Sequence, residues 1–84
     1  ERVIRRDWYR VLSVDADASA EYLERLRRTL AEFDVEIRDF EIQRPEGGGE
    51  AVIVLDLRLL SERDEPAILS QIGRLAGTRA AYWT

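Results

Sequence analysis

The sequence predicts an α+β sandwich built in the order β-α-β-β-α-β. Three observations carry this. Residues 8–14 (WYRVLSV) and 51–60 (AVIVLDLRLL) place apolar side chains on both faces, as strands inside a sheet require. Two stretches, beginning near residues 20 and 64, switch to a helical period. Between them, RPEGGGE (44–50) joins two strand-like runs in the manner of a hairpin tip.

In the first strand Trp8, Leu12 and Val14 share one face, with Tyr9 and Val11 on the other. DADASAE then supplies a turn and a helix start. Asp17 or Ser19 is the expected cap, because a short side-chain oxygen can accept from the free amides of the first turn. Leu23, Leu26, Leu30 and Phe33 form the buried stripe, with Tyr22 beside it. Glu21–Arg25 and Glu24–Arg28 stand at i,i+4 with the acid first, the more favourable order.

Residues 35–43 (VEIRDFEIQ) read as a strand that changes phase. Val35 and Ile37 share a face. Phe40 and Ile42 join them only if the chain bulges near Arg38–Asp39, and such a bulge is predicted. The alternating charges mark an edge strand. Strand 51–60 is the most apolar, with Ala51, Ile53, Leu55, Leu57 and Leu59 on one face and Val52 and Val54 on the other. A helix follows over 64–76. Asp64 is its expected cap, Pro66 falls in its first turn, and Ile68, Leu69, Ile72 and Leu75 form its buried stripe. Gly73 should let this helix approach the sheet, and Gly77 should end it. TRAAYWT (78–84) closes the chain as a fourth strand. Two right-handed crossovers then give the ferredoxin-like arrangement: a four-stranded antiparallel sheet, order 4-1-3-2, with both helices on one face.

The 84 residues suit one domain, which at this size buries ~60% of its unfolded surface. Cysteine and histidine are absent, and all 13 basic residues are arginine. Disulfides, thiolate or imidazole metal sites, a histidine base, a Schiff-base lysine and a P-loop lysine are thereby excluded. A net charge of −4 argues against nucleic acid as a partner. The β-α-β-β-α-β order is shared with the RRM, but the third strand carries no aromatic side chain on which a base could stack. The three glycines precede a strand, not a helix, and stand between two glutamates. They are a hairpin tip, not a phosphate cradle. No catalytic residue, cofactor or membrane span is expected within the chain.

Two acidic groups, Asp15 with Asp17 and Asp64 with Glu65, are weak candidates for magnesium, which one or two carboxylates can hold. Capping and the helix dipole explain acids at helix starts, and this reading is favoured over a metal site. Because helices cover one face of the sheet, Val52 and Val54 should lie on the open face. Trp8 and Trp83 are the aromatic candidates to extend this patch into an interface.

The tail RLLSERDEPAILSQIGRLAGTRAAYWT (58–84) resembles the end of the MgtC/SapB family, matching at Ile68, Ile72, Leu75, Gly77 and Trp83. WYRVLSV, LERLRRTL and the 40–59 hairpin fit the same layout. The resemblance implies a cytoplasmic ACT-like domain (1–84) behind a multi-span domain of a bacterial inner-membrane protein. Residues 1–7 would form a juxtamembrane stub, whose Arg2, Arg5 and Arg6 suit the positive-inside rule. It also implies association with growth under magnesium limitation and with survival inside macrophages. The expected role is regulatory and non-catalytic. The expected partners are proteins: the parent's own transmembrane domain or a second copy. Ligand-binding ACT domains usually carry a glycine between the first strand and helix, and VDADASAE has none. A small-molecule ligand is therefore not expected; the alternative is an amino-acid-sensing ACT domain of a metabolic enzyme.

Overall fold

A computed structural model describes residues 8–33, 35–46, 50–59 and 64–84. The order is β1 (Trp8–Ala16), α1 (Ala20–Ala31), β2 (Val35–Gln43), β3 (Ala51–Leu59), α2 (Asp64–Gly73) and β4 (Thr78–Trp83). The four strands form one antiparallel sheet in the order β2-β3-β1-β4. The two most apolar strands are central, as expected of strands buried on both sides. Segment 1–7, the side chain of Trp8, Gly47–Gly49 and Leu60 lie outside the described residues.

Alternation along the strands builds the core. On β1, Leu12, Val14 and Ala16 are fully buried; on β3 every second residue from Ala51 to Leu59 is buried. Their register brings Leu12 opposite Leu55 and Val14 opposite Ile53. Tyr22, Leu26 and Leu30 of α1 and Ile68 and Ile72 of α2 cover this layer.

The bulge forms where the phase change demands it. Ile37 faces Leu57, Asp39 faces Asp56, and Phe40 faces Leu55. One extra residue therefore returns Phe40 and Ile42 to the face of Val35 and Ile37.

Ser19 caps α1, its hydroxyl accepting from the Tyr22 amide at 3.1 Å. Asp64 is the first helical residue of α2, not its cap; with Glu65 it puts negative charge in the first turn, where the dipole favours it. The helix also ends three residues earlier than expected. After Gly73 the chain tightens into turns, Leu75 N–H donating to Ile72 and Thr78 N–H to Leu75, each at 3.1 Å. Gly77 adopts φ +99°, and a Cβ there would lie 3.2 Å from the Tyr22 ring. The expectation for Gly73 fails: a Cβ added to it meets nothing within 4 Å. It is an exposed helix end, with no close approach to explain it.

Candidate functional site

The open sheet face is built from the strand positions that alternate away from the helices. It carries Tyr9, Val11, Ser13 and Asp15 of β1, Val52, Val54, Asp56 and Arg58 of β3, and Ala80 and Tyr82 of β4. Val52 and Val54 stand there half-buried, as the alternation predicts. Between them and β4, Ser13 faces both Val54 and Tyr82 and is buried by its neighbours. Tyr9 and Tyr82 are about half exposed and provide the aromatic part of the patch. The Arg38 guanidinium lies 4.6 Å from the centre of the Tyr9 ring. Arg58 reaches Glu36 at 3.4 Å. Asp39 and Asp56 stand directly opposite each other across β2 and β3. The face is thus an apolar strip on β1, β3 and β4, bordered by mixed charge on the β2 side.

Trp83 does not belong to this patch. It is in register with Leu12, packs against the core on the helix side, and carries the Arg10 guanidinium 5.2 Å from its ring centre. Arg10 also donates to Glu65 at 2.6 Å, tying β1 to the start of α2. Of the two aromatics expected to extend the open-face patch, Trp83 is thus on the other side, and the side chain of Trp8 lies outside the described residues. Parity along β4 identifies Tyr82, one residue earlier.

The four acidic candidates serve different surroundings. Glu65 is engaged by Arg10, Asp64 opens α2, Asp15 lies on the open face and Asp17 in the loop after β1. The described residues hold no group of three or more acids that could bind a metal ion.

The loop from β1 to α1 is drawn in on itself. Asp17 N–H donates to the Gly77 carbonyl at 3.2 Å, Ser19 N–H to the Asp17 carbonyl at 2.8 Å, and Arg44 to the Ala18 carbonyl at 3.2 Å. Two of its three amides are used internally, and Ala18 is buried. Little is left with which backbone could hold a ligand carboxylate.

A second concavity lies on the helix side. The helices leave the β2 edge uncovered, so Ile37 and Phe40 are 37% and 52% exposed although they face the core layer. With Leu23, Leu26 and Leu30 of α1 and Leu55 of β3 they line a groove of about 850 Å³. The phase change at Arg38–Asp39 signalled which face these residues take; how far the helices extend over β2 had no such signal.

Set against known structures, this geometry matches an ACT domain of the GTP pyrophosphokinase of Chlorobium tepidum. The crystal structure of that domain gives a TM-score of 0.76 at 10% identity, covering 94% of this chain and all of that one. Its solution structure gives 0.70 over 93% and 86%. The solution structure of the C-terminal domain of the MgtC protein from Mycobacterium tuberculosis gives 0.72 at 10% identity, over 100% of this chain and 92% of that one. The fold is ACT-like. No protein-family model and no curated protein sequence matches the chain. At such identity the ACT-like fold is shared and nothing finer follows from it.

Proposed function

We propose that this chain is the C-terminal ACT-like domain of an MgtC-type membrane protein, acting as a regulatory protein-interaction module without chemistry of its own. The observation that carries this reading is the end-to-end likeness to the MgtC C-terminal domain. It joins the resemblance of residues 58–84 to the same family. The reading assigns the domain to the cytoplasmic face of the bacterial inner membrane, and its parent to growth under magnesium limitation and survival inside macrophages. Among the described residues no helix is long and apolar enough to cross a membrane. The lack of His, Cys and Lys, and a loop two of whose three amides are occupied, favour action through surfaces. The apolar strip around Val52 and Val54 is the first such surface.

The second reading is a small-molecule-sensing ACT domain, favoured by the likeness to the pyrophosphokinase domain. Heteronuclear NMR with an amino-acid panel and then magnesium separates the two. The interaction reading expects no saturable shifts. Saturable shifts over 14–20 would favour the sensor, and shifts confined to Asp15, Asp17, Asp64 or Glu65 would establish a metal site.

A further inference from the structure

We infer that the groove between α1 and β2 takes an amphipathic helix from a protein partner, one with an apolar stripe flanked by acids. This rests on the protein-interaction reading but uses the other side of the molecule from the open face.

The floor and inner wall are apolar: Leu23, Leu26 and Leu30 from α1, Ile37 and Phe40 from β2, and Leu55 from β3. Three charged side chains complete the lining, all from α1: Glu24, Arg27 and Arg28. Arg28 donates to Glu24 at 3.0 Å, so these two neutralise each other. Arg27 has no ion-pair partner among the described residues. Among the described residues its charge therefore faces the groove without a salt-bridge partner. The acids of β2 do not offset it, because Glu36, Asp39 and Glu41 stand on the opposite face, in register with Arg58, Asp56 and Val54. The groove is therefore an apolar trough with one cation on its rim, whereas the whole chain carries −4. An occupant with apolar anchors and a carboxylate matches both features.

Shape selects a helix over a small molecule. Small-molecule sites bury roughly 70–90% of their ligand. Here the floor is half exposed along the sheet edge and cannot enclose one. The α1 wall is 12 residues long, about 18 Å, so a partner helix of about three turns can lie beside it with anchors at i, i+3, i+4 and i+7. Such a helix would continue the helical layer over the strand it now leaves bare. Filling the trough would cover Ile37 and Phe40, the two large apolar side chains exposed on this side among the described residues.

The test uses a stapled amphipathic helix of about three turns, with leucines in that spacing and glutamates along one flank. Its counterpart carries lysines in place of the glutamates. Binding is followed by amide shifts of the isotope-labelled chain. The glutamate peptide should shift Leu23, Arg27, Ile37 and Phe40 saturably, and bind better than the lysine peptide. Phe40→Asp should weaken it by about tenfold or more, the loss of one anchor. Arg27→Glu should reverse the preference between the two peptides. Both positions are exposed, and circular dichroism checks that the variants fold. Val52→Asp with Val54→Asp should leave this binding unchanged, so failure here is distinct from failure of the open-face reading. The inference is overturned if neither peptide shifts these amides, if both bind equally, or if the shifts map to Val52 and Val54. It is also overturned if dodecanoate saturates the groove while the peptides do not, or if the groove amides shift with the chain's own concentration.

Discussion

Tyr22 shows how much a single residue can join. It is the deep end of the α1 stripe, it fills the space that makes Gly77 necessary, and its hydroxyl meets Thr78 Oγ1 at 2.6 Å. Burial raises its hydroxyl above the ordinary value of 10.0, and the Thr78 bond offsets part of this. The neutral form is thus favoured more in the folded state than in the unfolded chain. Tyr22 contributes its full stability below pH 10.0 and loses it as pH rises above that value. Tyr22→Phe should cost about 1 kcal/mol at neutral pH, and urea melts should show a shallower alkaline loss than in the parent chain. Equal alkaline slopes would mean that Tyr22 is not the group responsible. Gly77→Ala should cost more than ~1 kcal/mol in the same melts, because alanine at φ +99° is strained and its Cβ meets the Tyr22 ring. Gly73→Ala should instead be neutral or stabilising, since open space surrounds it.

At the scale of elements, β2 is the one under tension. Its bulge keeps four apolar residues on one face, and the same bulge brings Asp39 opposite Asp56. Like charges directly opposite repel. Asp39→Asn should therefore raise stability by a few tenths of a kcal/mol, and the gain should shrink at high salt in thermal melts. Deleting Arg38 would remove the extra residue and leave Val35, Ile37, Phe40 and Ile42 alternating on one face of a regular strand, so a Tm close to the parent's is the expected result, whereas deleting Glu36 would throw Val35 onto the opposite face and lower it. These outcomes follow from a feature visible in the sequence, because a two-residue period either keeps its phase or does not. The strands and their order were legible for the same reason: Leu12 and Val14, and Ala51 through Leu59, alternate without a break. The α2 end was not legible. Leu75 continues the helical spacing, but the tight turn to Gly77 removes it from the helix. Nor could pattern alone put Trp83 on its face, since that depends on the register of β4 against β1. The groove depends on how the helices lie across the sheet, which no local period encodes.

The whole molecule is an ACT-like sandwich with two unequal faces: a helix side that leaves one trough, and a sheet side with an apolar strip and a charged border. The hairpin tip at Gly47–Gly49 joins β2 to β3 and lies outside the described residues; replacing the three glycines with an Asn-Gly turn should leave melting temperature and function close to those of the parent chain. Function should reside on the faces instead. The most direct test is Val52→Asp with Val54→Asp in the full-length protein, assayed for growth under magnesium limitation, with the fold of the isolated domain checked by circular dichroism. The interaction reading predicts loss of function with the fold intact. Full activity in a folded double variant would contradict it.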